Sequence, residues 1–199
     1  MDKVTFDLPA ITKELEDYMT KKRLWHTIGV MHTAAALAMA HGVSIEKAQI
    51  AGLLHDCAKC IAPKKTIKLC KEHHIEMTEF EMENPFLLHG KLGAWIAAEK
   101  YGVTDPEVLS AITWHTTGKE NMTSLEKIIF IADYIEPSRD KAPGLSKVRP
   151  LAFQDLDRCT YQILKDTLEY LDTSSECIDQ TTEKAYIYYK NLIQKEDNI

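Results

Sequence analysis

His55 and Asp56 stand side by side at the end of the apolar run Ala51-Gly52-Leu53-Leu54. An unpaired acid in such a setting costs several kcal/mol or must take up a proton. A bound cation removes that penalty by accepting both side chains as ligands. Asp133 poses the same problem in Ile128-Ile129-Phe130-Ile131-Ala132-Asp133-Tyr134-Ile135. A helix apolar nearly all round is a buried one, so its carboxylate needs a cation or several donors. The alternative is an aspartate on a solvent-facing stripe. His26, His89 and His115 each lie in apolar surroundings of their own. Singly, such a histidine is more often hydrogen-bonded core than ligand. Together with His55, Asp56 and Asp133 they are the ingredients of a metal centre inside a helical bundle. The donors are nitrogen and oxygen without thiolate, which suits iron, manganese, cobalt, nickel or zinc and disfavours calcium.

The remaining histidines read differently. His73 and His74 sit in the charged Cys70-Lys71-Glu72-His73-His74 and are expected at the surface. His32, six residues after His26, lies on another part of the same helix and is expected to support the site from behind. His41 precedes Gly42 and suits the negative end of a helix dipole. Cys57 and Cys60 form a CxxC with no second pair to complete a zinc site, and are expected as half-buried helix thiols.

The elements that must position these groups are helices. Asp7 with Pro9 opens a first helix carrying Leu8, Ile11, Leu15 and Tyr18. A second is expected from about Arg23 to His41, stopping at Gly42, and Ser44 caps a third with Ile45, Ala48, Leu53 and Leu54 on one side. A basic amphipathic segment covers Pro63 to His74, and another helix runs from Phe86 to Tyr101. Thr104 or Asp105 with Pro106 starts the next, through His115 to a stop near Gly118. Thr123-Ser124-Leu125-Glu126 is a capping box for a helix to Glu136. The spacing places a long irregular loop from Pro137 to Arg149, a substrate-touching candidate. Pro150 is expected to open a helix through Leu171, with a last one over Glu183 to Gln194. No strand alternation, hairpin signal or repeat is evident. The expectation is an all-α, single-domain helical bundle over residues 1–199, its core about 20–140 and its C-terminal helices at 150–195 completing it.

The chain has 199 residues, 45% hydrophobic and 27% charged, enough apolar material for a core without disulfides. Five cysteines without framework spacing read as cytosolic thiols. The first residues lack an apolar leader, and no uncharged apolar run approaches the ~20 residues of a membrane span. A cytoplasmic location without a membrane partner is therefore expected. The net charge of −6 argues against non-specific nucleic-acid binding, yet local Lys and Arg can still hold a phosphate-bearing small molecule. The amphipathic helices leave a homodimer face open.

In order, His26, His55-Asp56, His89, His115 and Asp133 resemble the HD-domain metallophosphohydrolase superfamily. The phrases Arg23-x-x-His26-Thr27-x-Gly29-Val30, His55-Asp56-x-Ala58-Lys59, Leu88-His89-Gly90, Trp114-His115-Thr116-Thr117-Gly118 and Ala132-Asp133-Tyr134-Ile135-Glu136-Pro137-x-Arg139 are similar to its bacterial YqeK type, a symmetrical diadenosine tetraphosphatase. The match covers about residues 20 to 182. The resemblance implies that His26, His55, Asp56 and Asp133 hold a divalent metal, iron first. It implies that Arg23, Lys59, His89, His115, Thr116 and Arg139 face phosphates, with His89 and His115 available to a second ion. Asp56, Lys59, His89, His115 and Arg139 would then be the catalytic groups. A family turn resembling I-x-P-x-T corresponds to Ile178-Asp179-Gln180-Thr181-Thr182, where Gln180 replaces the proline, and it would bring Thr182 to the nucleotide.

Two histidines and two carboxylates leave open coordination positions, one of which can hold a water of lowered pKa. Its hydroxide would attack a phosphorus in line, with Arg23, Lys59 and Arg139 neutralising neighbouring phosphates. The residues alone lead to a metal-dependent hydrolase of phosphate esters or anhydrides. The resemblance narrows this to cleavage of diadenosine tetraphosphate into two ADP, or of a related dinucleoside polyphosphate with a GDP-like product. The alternatives are another HD-type chemistry, such as a nucleoside monophosphatase or cyclic nucleotide phosphodiesterase, and a non-catalytic nucleotide sensor.

Overall fold

The structure, a computed structural model, describes residues 6–174 and 178–198. The leader-free reading of residues 1–5 and the thiol reading of Cys177 fall outside them. Every element among the described residues is a helix. In chain order these are α1 (Leu8–Glu16), α2 (Lys21–His41), α3 (Ile45–Leu54), α4 (Pro63–Glu72), α5 (Glu79–Glu83), a 3-10 turn (Pro85–Leu88), α6 (His89–Tyr101), α7 (Pro106–Trp114), α8 (Ser124–Ile135), α9 (Leu145–Ala152), α10 (Leu156–Ser174) and α11 (Gln180–Glu196).

Local chemistry explains most boundaries. The Asp7 side chain accepts the Ala10 N–H, Ser44 accepts that of Lys47, and Asp105 accepts those of Glu107 and Val108. Thr123 and Glu126 cap α8 reciprocally, as their spacing predicts. α2 ends at Gly42 in the left-handed region.

The centre of the molecule is α8, which packs against α2, α3, α7, α9 and α10. Leu125, Ile128, Ile129, Ile131 and Ala132 are fully buried there, in line with a helix apolar on nearly every side. A smaller cluster of Ala58, Cys70, Leu88 and Leu92 ties the 3-10 turn to α4 and α6. It thereby fixes where α6 begins.

One helix must be added and four expectations need correction. α5 was hidden in sequence because Glu79-Phe80-Glu81-Met82-Glu83 is too short and acidic to show a period; Thr78 and Glu81 form its capping box. The segment from Phe86 is not one helix: Pro85 starts a 3-10 turn, and the α-helix begins only at His89. Pro150 does not open the long helix. It lies inside α9, and the long helix starts at Leu156 after a break at Phe153-Gln154-Asp155. The irregular stretch after Pro137 accordingly stops at Gly144 instead of running to Arg149. Finally, Cys57 and Cys60 lie in the turns after α3 rather than on a helix. Cys57 is buried and its thiol donates to the Gly93 carbonyl, and burial pushes that thiol up to about 12; Cys60 is exposed.

Candidate metal centre

Three of the four histidines at the centre occupy the same local position. His55 follows the last residue of α3, His115 follows the last of α7, and His89 follows the 3-10 turn. The last carbonyls of a helix have no partner within it. Each ring supplies one: His55 Nδ1 lies 2.7 Å from the Gly52 carbonyl, His115 Nδ1 2.7 Å from Ile112, and His89 Nδ1 2.5 Å from Phe86. A carbonyl can only accept, so each Nδ1 carries a proton, which leaves Nε2 as the atom turned to the centre and available as a ligand.

His26, on α2, reaches the same state by a different route. Its Nδ1 lies 2.9 Å from Glu136 Oε1, and Glu136 also accepts the backbone N–H of Ser138 at 2.7 Å and its hydroxyl at 2.5 Å. Glu136 is a fully buried acid at the end of α8. Gly29 makes room for it, because a Cβ there would sit 2.6 Å from Glu136 Oε2. Gly90 serves His89 similarly, since a Cβ would meet the Thr113 carbonyl at 2.5 Å and hold α6 off α7. The Arg149 guanidinium donates to the carbonyls of Ile135, Glu136 and Arg139, which fixes the segment behind Glu136.

The four Nε2 atoms converge on two carboxylates. Asp133 Oδ1 is 2.9 Å from His26 Nε2 and 3.9 Å from His55 Nε2. Asp56 faces both ways: Oδ2 lies 3.3 Å from His55 and 3.8 Å from His26, while Oδ1 lies 3.3 Å from His89 and 3.7 Å from His115. His26 Nε2 and His55 Nε2 are buried yet have no hydrogen-bond partner. The 2.9 Å approach of His26 to Asp133 lacks hydrogen-bond alignment. Two buried ring nitrogens without a donor, facing the same two carboxylates, suit a divalent transition metal, because a cation can join acceptors that no protein donor reaches. The carboxyl-terminal ends of α3 and α7 also point their negative dipole ends here, which favours a positive charge. The donor atoms of His26, His55 and Asp56 lie within 4.8 Å of one another, as do those of Asp56, His89 and His115.

The second group differs from the first. His89 Nε2 and His115 Nε2 stand 3.0 Å apart, but the Thr116 hydroxyl lies 3.2 and 3.0 Å from them and Lys59 Nζ 3.3 Å from His89. These lone pairs already have donors.

Charge balance follows from the same contacts. Burial would raise the Asp56 carboxyl, but His55, His115 and His89 override it and hold it well below the usual carboxylate range. Asp133 behaves likewise: burial opposes ionisation, and His26, His55 and Arg139 keep the acid charged. Burial is the main influence that pushes His89 down to about 4, with His115 and Lys59 adding to it against the pull of Asp56. Burial also lowers Lys59. Arg23 Nη1 lies 2.5 Å from Asp56 Oδ2 and Arg139 Nη2 2.6 Å from Asp133 Oδ1, so one arginine flanks each carboxylate. Both guanidinia also line a polar cleft of about 410 Å³ with Lys22, His26, Ser138 and Lys141. Partly exposed arginines above a buried acid and a half-buried one are placed to receive an anionic ligand.

Ten of the eleven residues singled out in sequence are thus in this one neighbourhood. Thr182 lies buried in the first turn of α11, and among the described residues no hydrogen bond or ion pair joins it to the histidines. His32 is exposed and does not touch His26; it lines an adjoining cleft. His41 ends α2 but bonds the Ala152 carbonyl at 2.7 Å, linking α2 to α9. His73 and His74 are exposed as expected, with His73 stacked on Trp95. The residue that sequence reading missed is Glu136. It stands within a quoted motif, but an acid just past a helix end reads as surface, and its contact with His26 spans 110 positions.

A family model described as HD domain matches residues 23–138. The chain is 38% identical over 172 residues to the "Bis(5'-nucleosyl)-tetraphosphatase, symmetrical" of Bacillus subtilis, covering 86% of this chain and 91% of that protein. It is 35% identical over 178 residues to the protein of the same name from Staphylococcus aureus, covering 87% and 90%. The crystal structure of a "predicted HD superfamily hydrolase involved in NAD metabolism" from Clostridium acetobutylicum superposes with a TM-score of 0.90 at 37% identity, over 94% of this chain and 99% of that one.

Proposed function

The chain belongs to the HD-domain family, and from that premise we propose that it hydrolyses diadenosine tetraphosphate symmetrically, releasing two ADP. The observation that carries the reading is the pair of partnerless buried nitrogens, His26 Nε2 and His55 Nε2, aimed at Asp56 and Asp133 between two arginines. His26, His55, Asp56 and Asp133 would hold the divalent metal, with iron the first candidate and manganese, cobalt, nickel or zinc fitting the same donors. A cation held there would supply Lewis-acid polarisation of a phosphate oxygen and lower the pKa of a water. Asp56 Oδ1 with His89 and His115 could take a second ion only if Thr116 and Lys59 turned away from the two rings.

The chain's own residues do the rest. Arg23 and Arg139 grip phosphate oxygens from the polar cleft, each able to hold two at once. Lys59 adds a point charge on the far side of Asp56, and the Thr116 hydroxyl with the His89 and His115 rings faces the phosphates beside it. His89 stays neutral at pH 7, so it accepts a hydrogen bond at Nε2 without adding charge. Cutting the middle of the bridge releases a nucleoside diphosphate, a leaving group good enough to need no dedicated acid.

Residues 1–199 would form one such unit. The relatives' bacterial origin and the thiol cysteines support a cytoplasmic setting, and no helix among the described residues is long and apolar enough to cross a membrane. The test is anaerobic purification with elemental analysis, followed by product identification on a panel of dinucleoside polyphosphates, NAD, nucleoside monophosphates and cyclic nucleotides. Metal near stoichiometry and ADP as the sole product from diadenosine tetraphosphate are expected. Release of AMP with ATP, or activity confined to monophosphates, would refute the symmetrical assignment.

A further inference from the structure

A second cleft, about 650 Å³, opens between α2 and the end of α9, lined by Trp25, Ile28, His32, Thr33, Pro137 and Phe153. Its volume falls within the ~300–1,000 Å³ typical of small-molecule sites. Two aromatic rings stand at its lips and face water: Trp25 is 68% exposed and Phe153 49%. Both rings line one concave, mainly apolar wall, and exposed apolar surface gathered around a groove marks a binding site where scattered residues do not. Ser138 lines this cleft and also the polar cleft that holds Arg23 and Arg139, so the two adjoin at that residue. On α2, Arg23 and Trp25 are two residues apart and serve one cleft each. The wall between them is rigid, because Arg149 and Glu136 pin the segment that bears Ser138.

We propose that this cleft is a nucleobase subsite, holding one adenosine of a dinucleoside tetraphosphate. The inference rests on the hydrolase reading above. A substrate cut at its midpoint must lay that midpoint at the histidines, so two equal arms leave the centre in different directions. An arm that follows Arg23 and Arg139 past Ser138 passes from cationic to aromatic surroundings, the order in which a nucleotide presents phosphate and base. Trp25 and Phe153 offer faces for stacking, while His32 and Thr33 offer polar groups to the base edge.

The experiment compares diadenosine tetraphosphate with adenosine 5'-tetraphosphate, which carries the same phosphate chain and a single nucleoside. Steady-state kcat/KM is measured for both on the metal-loaded wild type, W25A, W25F and F153A. The expected result is a preference for the two-nucleoside substrate that falls about tenfold in W25A and F153A, the loss of one base–aromatic stack, and largely returns in W25F. Using the ratio cancels any general damage to the centre. An unchanged ratio in both alanine variants overturns the subsite and leaves the hydrolase reading standing. A wild type inactive on both compounds overturns the two together. Sedimentation of the same proteins gives a further check: a wild-type dimer that W25A turns into a monomer would assign this face to a second copy of the chain and overturn the subsite.

Discussion

Glu136 offers the sharpest test of how the centre is held. The residue touches no ligand position itself; it acts through His26. Replacing it with alanine leaves the buried His26 Nδ1–H without an acceptor and turns the Ser138 N–H and hydroxyl over to water. Bonds to a charged acceptor contribute about 1.5–3 kcal/mol each, and some of that returns as water enters the cavity. A net loss of about 3 kcal/mol in unfolding free energy is expected. The larger consequence concerns the metal, because His26 can now rotate or take its proton on Nε2. Loss of such an orienting carboxylate weakens metal binding about 10- to 100-fold. The E136Q variant should fall between, since its amide oxygen can still accept from His26. Gly29 makes the argument stricter. A methyl group there collides with Glu136 Oε2, so G29A should weaken metal binding about tenfold in the wild-type background. In E136A the obstructed atom is gone, and the same substitution should cost less than about threefold. Calorimetric titration of chelator-stripped protein with Mn²⁺, on the four members of the cycle, reads these values. Wild-type affinity in E136A, or a G29A penalty of equal size in both backgrounds, would refute the claim that Glu136 sets the His26 ring.

Other substitutions separate ligands from phosphate contacts. D56A and D133A should each abolish bound metal and turnover together, checked by elemental analysis on folded protein; a variant retaining both is not missing a ligand. R139A should keep its metal while kcat/KM drops about 10²- to 10³-fold, the size seen when one preorganised donor to the reacting group is removed. Metal loss with unchanged substrate affinity would contradict that role. The metal-stripped protein should also lose stability as pH falls. His89 is held near 4 in the fold against about 6.5 in an unfolded chain, so between those values the unfolded state alone takes the proton. Stability is full above about 6.5, declines through the window, and is lower by about 3 kcal/mol below it. The depressed Asp56 and Asp133 deepen the loss below about pH 4, since they too protonate more readily when unfolded. Thermal unfolding of wild type and H89N from pH 7 to 4 checks this: H89N should show a shallower slope, and equal slopes would remove His89 from the account.

The helices were legible because their signals are local. Asp7, Ser44, Asp105 and the Thr123–Glu126 box act within one turn, and the apolar period of Ile128 to Ile135 speaks for itself. Even the proton positions on His55, His89 and His115 are local, each fixed by a carbonyl three residues back. Where two local rules competed, sequence reading failed. Pro150 reads as a helix start, yet the turn at Phe153 and the fresh start at Leu156 outweigh it. Charges set in apolar runs pointed to the candidate centre, since a core does not tolerate them uncompensated.

What the sequence alone determined is which residues had to find a partner: His55, Asp56 and Asp133 carry their electrostatic debt wherever the chain goes. Only the tertiary structure decided who meets whom. Glu136 orients His26 because α2 and the end of α8 lie in contact, with Gly29 leaving the gap, and no spacing rule links positions 110 apart. The placing of Arg23 on Asp56 and Arg139 on Asp133 is likewise a product of packing. Short-range preference is written in a few neighbouring residues, whereas a shared site depends on the relative placement of whole helices, which the entire core sets at once.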